Sequence, residues 1–194
     1  MIKDLVLKNR SYRRFYGDYK IELQVLEDLI ELARLSPSGR NLQPLKYVIV
    51  NDEDTNAKVF STLAWAGYLK DWDGPELSER PTAYIVMMVD KNLTAGTPAI
   101  DEGIACQSIL LGAVENGLGG CIIQSVKRVE LAGIIKLPES FEIALVIALG
   151  KPKEDVRIIE IQEDDVKYYR DENGVHYVPK RSIDEIMFEN VNIK

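Results

Sequence analysis

Histidine occurs once in this chain, at position 176, and cysteine twice, at 106 and 121. Neither cysteine has a second thiol or imidazole at metal-ligand spacing, so the three residues assemble no zinc set. Thiols this sparse fit a reducing, cytoplasmic setting. A single histidine also leaves no Ser-His-Asp or Cys-His arrangement for nucleophilic catalysis. His176 stands beside Tyr177-Val178 with no carboxylate at a useful spacing, and reads as a structural or surface residue. Positive charge is the minority sign, 24 Lys and Arg against 31 Asp and Glu, for a net charge of -7. That balance argues against nucleic acid or an acidic membrane bound through a general basic surface. Long apolar runs are missing too. The N-terminus through Arg10 lacks the apolar core of a signal peptide, so no export is expected. The most apolar span, Ile104 to Ile123, is interrupted by Gln107, Ser108, Glu115 and Asn116. It fits a buried helix better than a membrane crossing. No repeat or composition shift marks a linker, and 194 residues at 46% hydrophobic suffice for one domain spanning 1–194.

What the chain does have is an unusual joint at Ala33–Pro44, Ala-Arg-Leu-Ser-Pro-Ser-Gly-Arg-Asn-Leu-Gln-Pro. Apolar residues at 23, 26, 29, 30 and 33 predict an amphipathic helix over Glu22–Leu35, and Tyr47–Val50 predicts a strand. Turning between them needs only a few residues. Here Pro37 and Pro44 fix φ and Gly39 permits close approach of the backbone to another molecule, giving a stiff polar shelf. A helix terminator with turn chemistry and a ligand-binding loop both account for it. A second local feature is Arg10-Ser11-Tyr12-Arg13-Arg14-Phe15, a basic cluster in an acidic protein. Forked guanidinium donors and a hydroxyl suit a phosphate, and a solvated basic turn is the alternative.

The remaining pattern alternates helices with buried strands. A short helix is expected around Leu5–Leu7 and another over Thr55–Leu69, leading to Trp65, Tyr68 and Trp72, which pack in the core or overhang a channel. Ala83–Val89 is a strand buried on both faces. Thr97-Pro98 opens a long helix to about Asn116, with Asp101 and Glu102 near its positive end. Gly117–Ser125 gives a helix stop, a short strand and a polar end. It has neither the Lys-Ser/Thr ending of a P-loop nor a dinucleotide fingerprint. A short helix over Val129–Ile135, a buried strand over Ile143–Gly150, a hairpin around Asp171–Gly174 and a capped helix from Ser182 to about Glu189 complete the chain. The fold class is α+β, a sheet-and-helix sandwich.

Taken in register, the 10–15 and 33–44 motifs resemble the opening of the FMN-dependent nitroreductase family. The resemblance implies an α/β/α sandwich with a mostly antiparallel central sheet and an intertwined homodimer. In it, the helix beginning near residue 99 packs along the dimer axis. It assigns Arg10, Ser11 and Arg13 to the FMN phosphate and ribityl chain. It makes Pro37, Ser38, Gly39, Asn41 and Gln43 a shelf reaching the partner's flavin. Lys180 and Arg181 would lie against the phosphate, and the backbone at Gln124 and Ser125 would face flavin N5. A common form of the family has Glu-Gly where Gln124-Ser125 stand, and a backbone donor survives that change. The implied activity is transfer of reducing equivalents from NADH or NADPH, through FMN, to a small electron-poor acceptor such as a nitroaromatic or quinone, with no side-chain general base and no metal. Dehalogenation, flavin fragmentation or another oxidation on the same scaffold, or a flavin-binding dimer without turnover, are the alternatives.

Overall fold

Apolar β-branched runs that cannot be solvated on either side need cover on both, and the architecture supplies it. The computed structural model describes residues 1–93 and 98–187. Its elements are α1 (Ile2–Lys8), α2 (Leu23–Leu35), β1 (Leu45–Val50), α3 (Glu53–Ser61), β2 (Ala83–Asp90), α4 (Pro98–Glu115), β3 (Gly119–Ile123), α5 (Arg128–Ile135), β4 (Phe141–Gly150), β5 (Val156–Glu160), β6 (Tyr169–Arg170), β7 (His176–Lys180) and α6 (Ile183–Ile186). Four strands form an antiparallel sheet in the order β1-β2-β4-β3. Helices α2 and α4 cover one face, where Leu26, Leu29, Ile109 and Ala113 meet Ile85, Met87, Leu145 and Ile147. On the other face Val59 of α3 and Leu131 of α5 meet Tyr84, Val86, Val146 and Ala148. The result is the α+β sandwich expected from the chain.

Two local devices set the geometry. A Cβ on Gly112 would lie 2.3 Å from Leu32 Cδ1 and 3.0 Å from Leu29 Cδ2, so a larger residue there would have to displace the leucine methyls by which α2 packs on α4. In β4 the register slips between the Met87–Leu145 and Met88–Ile143 pairs. One extra residue there turns Ile143 to the face opposite Leu145.

The C-terminal part adds a small sheet, β5-β7-β6, in which β7 pairs parallel with β5 and antiparallel with β6. The β6–β7 turn is the expected hairpin. Asp171 Oδ1 accepts from the amides of Asn173 (3.0 Å) and Val175 (2.9 Å). Strand β5 has no counterpart in the sequence reading.

Other boundaries differ from expectation. The helix expected over Thr55–Leu69 ends at Ser61. Thr62 Oγ1 donates to the Val59 carbonyl (2.7 Å) at the last turn; beyond it Leu63 bridges to Val126 and Ala66 takes a φ of 42°, both incompatible with continued helix. Helix α6 has its capping box, with the Glu185 amide donating to Ser182 Oγ and the Ser182 amide to Glu185 Oε2. It stops at Ile186, because Met187 is extended. Thr97, and residues 188 and 189 of the expected last helix, lie outside the described residues.

Candidate functional site

The Arg10–Phe15 segment is stitched between two strands. Phe15 is fully buried against Gly150, where a Cβ would come within 2.7 Å of its ring. Ser11 pairs with Gly120 of β3, and the Tyr12 amide donates to the Gly120 carbonyl (3.0 Å). With its backbone fixed, the segment lines one crevice of about 280 Å3 with Arg10, Ser11 and Arg13, opposite His176, Val178 and Lys180. Among the described residues three cationic side chains line it, and no Asp or Glu does. In a protein of net charge -7 this is a local inversion of sign. Arg10 donates to the Val6 carbonyl (2.8 Å), while its buried Nε has no partner among the described residues. Burial lowers its pKa, the sign of a cation lacking its counter-charge.

A second crevice, of about 240 Å3, shares Arg13, Ile122 and Tyr168 with the first. Its other walls include Ala64, Trp65, Gly67, Gln124 and Ser125. Ile122 is 41% exposed although it belongs to a sheet strand. The Ser125 carbonyl accepts from the Ala64 amide (2.9 Å), and no acceptor for the Ser125 N–H is found among the described residues. Together the two crevices give a trough with cations at one end and exposed Ile122 and a free peptide edge at the other.

Behind the shared wall lies a buried ionic cluster. The Glu154 side chain is completely buried; it accepts from the Arg13 amide (2.9 Å) and from Arg170 Nη2 (2.6 Å). His176 is 0% exposed, with Nδ1 3.7 Å from Glu154 Oε1. The lone histidine thus has a carboxylate neighbour that the sequence did not show, though its Nδ1 makes no hydrogen bond among the described residues; β7 brings it beside a residue 22 positions away that no helical or strand spacing connects to it. Burial chiefly, with Arg13 and Arg170 opposing the pull of Glu154, lowers its pKa to about 4. Tyr168 packs tilted against His176, ring centroids 5.2 Å apart, and Arg13 lies 4.6 Å over the Tyr168 ring.

The other expected residues fall elsewhere. Pro37, Ser38 and Gln43 border a separate crevice of about 390 Å3 between α2 and β1, away from the Arg10 group. Gly39 and Asn41 are exposed at its rim. Arg40, Asn41 and Gln43, not Gly39, carry the positive φ values, 52°, 57° and 52°. Non-glycine residues held there cost roughly 1–3 kcal/mol each, a strain met mainly at functional loops. Of the expected basic pair, Lys180 faces the cationic crevice, whereas Arg181 is exposed and paired with Asp164 (2.7 Å) and Glu185 (3.2 Å). Trp65 is buried beside Phe60, and Trp72 lies under Arg170. Glu154, Arg170, Tyr168 and Ile122 were not singled out by sequence reasoning. Ile122 comes to the trough on β3 and Tyr168 with the β6–β7 hairpin, while Glu154 and Arg170 meet behind its wall, and only the fold makes these placements.

Among known proteins, an iodotyrosine deiodinase of Thermotoga neapolitana is 27% identical over 172 residues, 78% of this chain and 89% of that protein. A nitroreductase family protein of Streptococcus pneumoniae superposes with a TM-score of 0.70 over 98% of this chain and all of its own, at 18% identity. A structure described as an FMN-dependent nitroreductase, from Clostridium difficile, gives a TM-score of 0.63 at 23% identity over 84% of this chain and 92% of that one. These likenesses establish the nitroreductase-like fold. The sequence model of the nitroreductase family matches residues 6–151. The chain therefore belongs to the nitroreductase family.

Proposed function

We propose that this protein is an FMN-dependent NAD(P)H oxidoreductase that reduces small electron-poor acceptors such as nitroaromatics or quinones. One observation carries the reading: a crevice lined by Arg10, Arg13 and Lys180, with no carboxylate among the described residues, that shares a wall with a second crevice edged by exposed Ile122 and free peptide. A flat heterocycle bearing an anionic tail fits that arrangement, and the unpartnered buried Nε of Arg10 fits an arriving phosphate. The name of the Clostridium difficile protein points to the same group.

Bound FMN would supply the redox chemistry, accepting hydride from NADH or NADPH and returning electrons to the acceptor. Arg10, Ser11 and Lys180 hold the phosphate by charge-assisted hydrogen bonds. Arg13 brings positive charge to the wall between the crevices, and exposed Ile122 seats the ring and keeps water from it. The backbone N–H at Ser125, with Gln124 beside it, is the donor toward N5. No side-chain base is needed.

In this reading residues 1–194 act as one FMN-binding domain within a cytoplasmic homodimer. The shelf residues Pro37, Ser38, Gly39, Asn41 and Gln43 close the partner's trough, which accounts for their distance from the Arg10 group of their own chain. The dimer would also cover a stripe on α4, in which Ile100 is 64% exposed and Ile104 and Leu111 are half-buried. Among the described residues no helix is long and apolar enough to cross a membrane.

The test is anaerobic addition of NADH or NADPH to the flavin-loaded protein. Bleaching of the yellow colour, reversed by a quinone or nitro compound, supports the reductase. A flavin that neither nicotinamide reduces overturns it. The likeness to an iodotyrosine deiodinase favours one second reading, reductive dehalogenation, recognised by halide release from a halotyrosine once the flavin is reduced.

A further inference from the structure

The Arg13 guanidinium is the most enclosed cation of the trough, in a residue only 8% exposed, and its neighbours are unusual. Glu154 spends its oxygens on the Arg13 backbone amide and on Arg170. The guanidinium itself meets the Ser11 carbonyl (3.1 Å), the face of Tyr168 (4.6 Å) and Nε2 of His176 (3.4 Å). A guanidinium carries donors only, so Nε2 has to be the acceptor. The imidazole proton then belongs on Nδ1, which is buried without a hydrogen-bond partner among the described residues and has Glu154 Oε1 as its neighbouring carboxylate oxygen, 3.7 Å away. Two guanidiniums, one carboxylate and a neutral ring leave a surplus positive charge at the wall common to both crevices.

We propose that His176 is a positioning residue: as a neutral imidazole protonated on Nδ1 it accepts from Arg13 and holds that guanidinium toward the trough. A protonated Nε2 would set donor against donor and cation against cation. The groups facing the ring are Arg13, Glu154, Arg170 and Tyr168, and their balance, with burial, keeps the imidazole uncharged well below its ordinary range. The effect on ligand rests on the FMN reading; the tautomer does not.

Because His176 is the only histidine, nitrogen-15 labelling of histidine in the flavin-free protein gives one imidazole pattern to assign. The expected spectrum is the neutral form with hydrogen on Nδ1, unchanged down to about pH 5. A hydrogen on Nε2, or titration near 6.5, overturns the proposal. FMN affinity of two variants, read by quenching of flavin fluorescence beside the melting temperature of each flavin-free protein, gives the second arm. His176→Gln keeps an acceptor, and His176→Phe keeps an aromatic ring against Tyr168 without one. Roughly tenfold weaker binding is expected for the Phe variant and binding within about threefold of wild type for the Gln variant, at similar melting temperatures. Equal affinity of wild type and His176→Phe, or equal loss in both variants, overturns it. If His176→Phe does not fold, the labelling arm and His176→Gln decide. Failure of the FMN reading is distinguishable, since wild type itself would then not bind FMN while the tautomer stays measurable.

Discussion

Asp101, in the first turn of α4, accepts a hydrogen bond from the Ser38 hydroxyl at 2.6 Å, and its second oxygen accepts from the Gly39 amide at 2.9 Å. Ser38 Oγ in turn accepts from the Gln43 amide (2.9 Å). One carboxylate thus braces the loop in which three non-glycine residues hold left-handed backbone. Asp101→Ala should release that loop. Losing the two bonds costs about 2 kcal/mol, a drop in melting temperature of roughly 4–8 °C, and limited proteolysis should cut within residues 37–44. An uncut, equally stable variant would show that the strained backbone holds itself.

Lys180 and Arg181 are adjacent in sequence but only Lys180 faces the cationic crevice. Lys180→Ala is expected to weaken FMN binding about tenfold or more, and Arg181→Ala less than about twofold, because Arg181 is an exposed ion-paired residue. Titrating both variants with FMN at low ionic strength checks the order, and a reversed order would move the phosphate to the other side of β7.

Glu79 is bound by Arg14, which contacts it through Nε and Nη2, and by Lys153 at 2.9 Å. The hydrogen bond from Arg14 is the main cause holding its pKa down at about 2, against opposing burial. A carboxyl held below its ordinary value contributes stability that is complete above about pH 4.5 and is lost as pH falls toward 2. For this side chain, 10% exposed, that contribution is at most about 3 kcal/mol. Glu79→Gln should therefore be less stable at pH 7 and should flatten the acid limb of a melting-temperature profile between pH 5 and 2.

Gly120 sits where β3, the Arg10–Phe15 segment and α4 converge. A Cβ there would lie 2.6 Å from the Ala148 carbonyl oxygen and 2.7 Å from Leu110 Cδ2. Gly120→Ala must push β3 away from β4, at about 1–3 kcal/mol. The Ser11 pairing moves with it, so FMN affinity should fall beyond what reduced stability explains. Calorimetry paired with FMN titration separates the two effects.

The chain disclosed its local features and hid its long-range ones. Residues 83–89 and 143–150 are apolar at every position, so their strands and double burial were legible, as were the Asp171 turn and the Ser182 cap. The Arg10–Arg13 group was legible because a basic cluster stands out in an acidic chain. Strand β5, Val-Arg-Ile-Ile-Glu, was not, since it alternates weakly and exists by pairing parallel with β7. The helix written over Thr55–Leu69 overran because its apolar spacing continues past Ser61, whereas tertiary pairing of Leu63 with Val126 ends it. The Glu154–His176 contact was invisible for the same reason: the two residues meet only after the hairpin docks.

The account depends most directly on one binding event. Flavin-free protein titrated with FMN, beside Arg10→Ala measured identically, should saturate at one FMN per chain, with affinity falling about tenfold or more in the variant while its flavin-free melting temperature stays near that of wild type. Saturable binding that is indifferent to Arg10, or no binding of FMN by the wild-type chain, would contradict the account.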